Sequence, residues 1–171
     1  MSAMELWDAY DSGERRTGQT LVRGEPIPQG RYHMVCEALV RHTDGEYLLM
    51  HRVLTKAAYP GYFEATAGGS ALCGEDALTC MRRELMEETG IVGVTLTLVA
   101  KSHDEQERAI FYSYLALTDV DKAAITLQQG ETDGYRWLSE ADFIAHIHSD
   151  RVIDRQKARY ADYFRRIGYL E

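Results

Sequence analysis

Apolar residues in this chain fall mostly into short runs with a period near two, interrupted by a few stretches with a period near 3.6. Residues 5–23 hold two alternating runs around Ser12–Gly18, which predicts a hairpin. Arg23–Gly30, with two prolines and two glycines, predicts a turn-rich crossing over the surface. Tyr32–Arg41 and Glu46–Val53 flank the turn Thr43–Gly45 and read as a strand and its return. Phe63–Ala67 reads as a short strand running into a loop made permissive by Gly68, Gly69 and Gly74. Val92–Ser102 and Ala109–Leu117 read as a further strand pair, and Tyr135–Leu138 as a last short strand.

The helical period appears in three places. Over Asp76–Thr89, Leu78, Met81 and Leu85 recur at spacings of three and four and predict one apolar stripe, with Gly90 where a helix-closing glycine belongs. Ser139–Asp142 has the form of a capping box and opens a helix to about His148. A last helix is predicted from Arg151 to Ile167, capped by Ser149 or Asp150 and closed by Gly168. Its apolar positions, among them Tyr160, Tyr163 and Phe164, stand amid six arginines and lysines. That face is expected to pack on its own domain, a homodimer contact being the alternative.

Composition narrows the setting. The 171 residues, with three prolines and no repeat or low-complexity segment, predict a single domain over residues 1–171 with a sizeable core. The formal net charge of −8 argues against a nucleic-acid partner, because phosphate contacts need clustered Lys and Arg. Cys36, Cys73 and Cys80 form no metal-ligand spacing, which suits a reducing compartment. The N-terminus has no basic-then-apolar leader and no apolar run reaches membrane-spanning length. The expectation is a cytoplasmic protein with no membrane partner.

The densest chemistry lies in residues 69–91. Glu84, Glu87 and Glu88 stand at i, i+3 and i+4, neighbours on one helical face. Like charges packed so closely are destabilising unless a cation joins them, and carboxylate oxygens suit Mg²⁺ or Mn²⁺. Arg83, four residues before Glu87, is placed to clamp that carboxylate bidentately. Ala77 and Cys80 are expected on the carboxylate side, leaving room beside a metal and a phosphate. Runs of Glu and Arg on helices are usually only solvated faces. Here the preceding glycines, the Arg83 spacing and Gly90 favour a metal site.

Read as a whole, Gly69, Glu75, Arg83–Glu84, Glu87–Glu88 and Gly90–Ile91 reproduce the spacing of the Nudix box, and the chain resembles the Nudix hydrolase family. Seven fixed identities and two aliphatics at ordinary usage match by chance on the order of once in 10⁹ starting positions. The resemblance implies an α/β fold, a mixed β-sheet sandwiched between helices, and metal-dependent hydrolysis of a nucleoside diphosphate linked to another moiety. It further implies that Glu84, Glu87 and Glu88 bind metal, that the carbonyl of Gly69 and the carboxylate of Glu75 join them, and that Arg83 orients the ligands. The general base is not fixed by the box. A box glutamate such as Glu87 or Glu88, Glu131 in the segment Gln128–Trp137, and Glu107 in the polar stretch Ser102–Arg108 are the candidates. Arg52 and Tyr62 are the candidate substrate contacts, against the plainer roles of surface charge and packing.

A weaker resemblance covers Trp7–Asp11, Arg23–Pro26, Gly30–His33 and Tyr59–Phe63 and points to a bacterial subgroup allied to isopentenyl diphosphate isomerase. That isomerase uses a cysteine just before the box; the corresponding position here is Gly68, which has no proton to give. A third reading, a non-catalytic nucleotide sensor, is opposed by the retained carboxylates and the absence of a basic second domain. Substrate identity is not legible, because leaving groups are read by loops outside the box.

Overall fold

The computed structural model describes residues 3–171. Strand β1 (Leu6–Tyr10) and strand β2 (Arg16–Val22) form an antiparallel hairpin of their own, turned by Asp11–Arg15. The main sheet contains β3 (His33–His42), β4 (Tyr47–Arg52), β5 (Phe63–Glu64), β6 (Thr66–Ser70), β7 (Thr95–Asp104), β8 (Ala109–Thr118) and β9 (Thr132–Leu138). Its order is β5-β4-β3-β8-β7, with β6 also paired to β3 and β9 to β4. The sheet is mixed: β3 and β8 run parallel over their full lengths, from His33 opposite Ala109 to His42 opposite Thr118, while the other pairs are antiparallel.

Alternation along β3 separates two cores. Met34, Cys36, Ala38 and Val40 face helix α1 (Ala77–Thr89), where they meet Cys80, Met81 and Leu85. Leu39 faces the other way with Tyr47 and Leu49, against α2 (Glu140–Ile147) and α3 (Asp154–Arg166). Helices therefore cover both faces of the sheet, the α/β/α sandwich expected from the sequence. Each fully buried side chain such as Leu85 or Phe143 contributes about 1.5–3 kcal/mol. Among the described residues no helix is long and apolar enough to cross a membrane.

Three predicted boundaries shift. The expected strand Phe63–Ala67 is two strands: β5 pairs with β4, the chain breaks at Ala65, and β6 crosses to β3. Gly68 and Gly69 lie inside β6, not in a loop. The last helix begins at Asp154, with Ile153 as an uncapped N-terminus, because Val152 and Ile153 are buried ahead of it; neither Ser149 nor Asp150 caps it. Its stripe of Tyr160, Tyr163 and Phe164 is buried within the chain's own second core.

Candidate active site

Helix α1 is fixed at both ends. Asp76 caps it, accepting a 2.7 Å bond from Thr79 N, and Gly90 closes it at φ +76° with its N–H on Met86 O. The buried stripe runs through Cys80, Met81, Leu85 and Thr89, with Ala77 packed against the same core. Leu78 is not part of it and is 46% exposed. One residue advances a helix by 100°, so Leu78 shares the angular position of Leu85 and Thr89 but stands in the first turn of the helix. Cys80 likewise does not border a phosphate: it is buried, and its Sγ lies 3.6 Å from Gly69 O.

The same geometry swings Glu84 and Glu88 down onto β6. Glu88 Oε2 accepts a 2.9 Å bond from Gly68 N. A Cβ on Gly69 would lie 2.6 Å from Glu84 Cδ, and one on Gly68 would lie 2.0 Å from Cys36 O. Both glycines are thus required by close approach, of a carboxylate in one case and of β3 in the other.

Arg83 is the hub. It grips Glu75 bidentately, with Nε to Oε1 at 2.6 Å and Nη2 to Oε2 at 2.9 Å. Its Nη1 donates to Glu84 Oε1 at 2.7 Å and more weakly to Glu87 Oε2 at 3.3 Å, and Nη2 also reaches Ser70 O. The expected bidentate clamp on Glu87 is therefore a clamp on Glu75. Glu87 stays largely in solvent, whereas the turn before α1 folds Glu75 back over the guanidinium. The Arg83 bond lowers the Glu75 pKa, and Glu75 in turn raises that of Arg83, which stays protonated. Glu84 is raised, burial outweighing the Arg83 bond. Glu88 is raised well above the usual range, first by burial, then by Glu64, with Glu84 and Glu131 adding to it.

These groups border a cavity of about 550 Å³. The amino-terminal hairpin gives it Trp7, with Glu5 and Arg23 at the hairpin's ends; β5 gives Glu64; and the β4–β5 loop gives Lys56. Glu131 lines it from the turn before β9, paired with Lys56. Arg52 lines it too, but its guanidinium is taken by Glu64 (2.8 Å) and the carbonyl of Ala58. The hairpin also pins the box loop: Cys73 N donates to Leu6 O, Gly74 N to Asp8 Oδ2, and Arg16 Nη2 to Glu75 O.

Three expected site residues stand elsewhere. Glu107 sits in the β7–β8 turn, 2.9 Å from Arg155 and outside this cavity, so it is not placed as its base. Tyr62 lies under Arg151, whose Cζ is 4.1 Å from the ring centroid, and does not line the cavity. Glu75 is also outside the wall, both oxygens held by Arg83 and one shared with Leu72 N. Sequence reading passed over Glu64 and Lys56. The signal for Glu64 was present: Phe63 packs into the α2–α3 core, so the next residue of a strand points to the α1 side.

The donor set suits a hard divalent cation. It is all oxygen, anionic and partly desolvated, and the bare Gly69 admits the Glu84 carboxylate into the space that a side chain would fill. Among the described residues no three acidic, His or Cys side chains stand in a ready-made cluster. Arg83 Nη1 pairs with both Glu84 and Glu87, while Glu88 accepts from Gly68 N.

A mixed sheet between helices, with a glutamate-bearing helix laid against a Gly-Gly strand, defines a Nudix-type protein. The NUDIX domain model matches residues 31–160, and the chain belongs to the Nudix family. An uncharacterized Nudix hydrolase of Listeria monocytogenes is 32% identical over 152 residues, covering 88% of this chain and 89% of the relative. One from Listeria innocua is 30% identical over 165 residues, covering 91% and 97%. Among solved structures, DR0079 from Deinococcus radiodurans superposes with a TM-score of 0.68 at 20% identity, covering 86% of this chain and 91% of that one. The NUDIX domain of Shewanella oneidensis NrtR, a complex with ADP ribose, gives 0.58 at 18%, covering 78% and 88%. The relatives identify an enzyme of the Nudix hydrolase type, a pyrophosphohydrolase.

Proposed function

We propose that this enzyme hydrolyses the diphosphate linkage of a nucleoside diphosphate derivative or a related organic diphosphate, with Mg²⁺ or Mn²⁺. The observation that carries this is the placement of Glu84 and Glu88 against Gly68 and Gly69 at the floor of an acid-lined cavity. Glu84, Glu87 and Glu88 would hold the cation, which supplies Lewis acidity toward the diphosphate oxygens and the attacking water. Arg83 positions Glu84 through the Nη1–Oε1 bond, and Glu75 keeps Arg83 in place. Glu131, facing the cavity from the opposite loop, is the base that takes the proton of the water. The trapped like charges supply a reason to bind a cation before substrate.

ADP-ribose heads the panel to be tested, because the NrtR domain was solved with it. NADH, nucleoside triphosphates and a prenyl diphosphate complete it. Each is incubated with Mg²⁺ or Mn²⁺ while release of phosphate, pyrophosphate and nucleoside monophosphate is measured. Cleavage of at least one, dependent on metal, is expected; none cleaved with either metal would overturn the reading.

A further inference from the structure

The cavity's cations differ in how firmly they are held. Arg83 and Arg52 each satisfy several acceptors at once, including backbone carbonyls, and serve as framework. Arg23 pairs with Glu5 at the outer rim, its side chain 68% exposed. Lys56 is different. Its ammonium pairs with the Glu131 carboxylate, and its side chain is only 26% exposed. The backbone beneath that pair is tied: Val53 N donates to Glu131 O at 3.1 Å and Lys56 N to Val53 O at 3.2 Å. The two side chains can therefore part without either loop moving.

We propose that Lys56 is the cation that receives a substrate phosphate, and that Glu131 holds it in reserve, the Lys56–Glu131 pair being exchanged for a Lys56–phosphate contact as a diphosphate enters. This rests on the function proposed above. A partly exposed carboxylate–ammonium pair is weak. A phosphate offers more charge and more acceptor oxygens to the same ammonium. The exchange then runs forward on substrate arrival and frees the Glu131 carboxylate toward the reacting diphosphate at the moment it is needed. Glu131 is thus a competitor of the substrate for Lys56, which gives substitutions at the two positions opposite signs in binding.

The probe is methylenediphosphonate, a diphosphate that cannot be hydrolysed, titrated calorimetrically with Mg²⁺ into the full chain. Lys56→Gln should weaken its binding about tenfold or more, as expected for losing a charge-assisted contact. Lys56→Arg should stay within a few-fold of the native protein. Glu131→Gln should bind it a few-fold more tightly, since nothing then competes for Lys56. Mn²⁺ binding without diphosphate should not weaken in Lys56→Gln, where a neighbouring positive charge has been removed; a merely structural role would weaken both. Unchanged diphosphate binding in Lys56→Gln, or weakened binding in Glu131→Gln, would overturn the exchange while leaving the hydrolase reading intact. Failure of the native protein to bind the probe at all would overturn both.

Discussion

The carboxyl group of Glu84 occupies the space that a side chain on Gly69 would need: a Cβ there would stand 2.6 Å from Glu84 Cδ. Gly69 is not at positive φ, so alanine meets no backbone strain, only the carboxylate. Gly69→Ala should fold, displace Glu84, and lower kcat on the order of 10²-fold, the cost of misplacing a reacting group by about an ångström. Kinetics and a thermal melt of the variant check this; near-native kcat would show that the Glu84 position is not critical.

Gly68→Ala should behave differently. Its Cβ would meet the backbone oxygen of Cys36 at 2.0 Å, which cannot be relieved by rotating a side chain. We expect β3 and β6 to be forced apart, with a loss of stability of several kcal/mol, the scale of severe core overpacking. The same contact leaves no room for a cysteine, so the native protein should form no dimethylallyl diphosphate from isopentenyl diphosphate. Steady isomer production, or a Gly68→Ala protein as stable as the native one, would contradict this.

Glu88 is buried beside Glu64, Glu84 and Glu131, so its folded-state pKa is raised. The folded state then binds the proton more tightly than the unfolded chain, and metal-free stability falls as pH rises from the ordinary carboxylate range through the folded value. Glu88→Gln keeps an acceptor for Gly68 N and removes the charge. In chelator at neutral pH it should melt at or above the native protein. In millimolar Mg²⁺ it should gain much less, by mass action, and be nearly inactive. A variant clearly destabilised in chelator that still gains the full metal increment would make Glu88 a structural acceptor only.

Glu131→Gln should lower kcat by about 10²–10⁴-fold while leaving metal affinity nearly unchanged, as expected for loss of a positioned base. Manganese binding and single-turnover hydrolysis, measured side by side, separate the two. Full activity would return the base to the box.

His33 provides a second pH dependence, set first by burial and opposed by Glu107 and Glu5. It is buried, stacked on Trp7 at 4.3 Å, with Nδ1 3.2 Å from Ser70 Oγ, and burial lowers its pKa from 6.5 to about 4. Between those values the unfolded chain binds the proton and the folded one does not. Its stabilising effect is full above pH 6.5 and is lost as pH falls toward 4, amounting to about 3 kcal/mol at 1.36 kcal/mol per pKa unit. His33→Phe should flatten the stability profile between pH 6.5 and 4.5 in urea titrations. Parallel slopes for the two proteins would remove His33 from the account.

Local pattern carried much of this protein. The box spacing, the 3.6 period of α1 and the position of Gly90 are properties of consecutive residues, so the helix, its closing glycine and the run of glutamates along it were legible before folding. Alternation in β3 and β4 gave the strands, and Ser139 its cap, for the same reason. What could not be read locally was partner choice. Arg83 reaches Glu87 at helical spacing but grips Glu75, because the turn before α1 brings Glu75 across the guanidinium. Gly68 and Gly69 look like loop glycines until β6 pairs with β3 and α1 lies on it. Glu131 and, behind it, Glu107 were both candidate loop acids in sequence; pairing β9 with β4 brings Glu131 to the cavity, while the β7–β8 turn carries Glu107 to Arg155. Helix and strand periods are set by bonds between near neighbours, whereas the ends of a charge pair are set by which distant segments the core brings together.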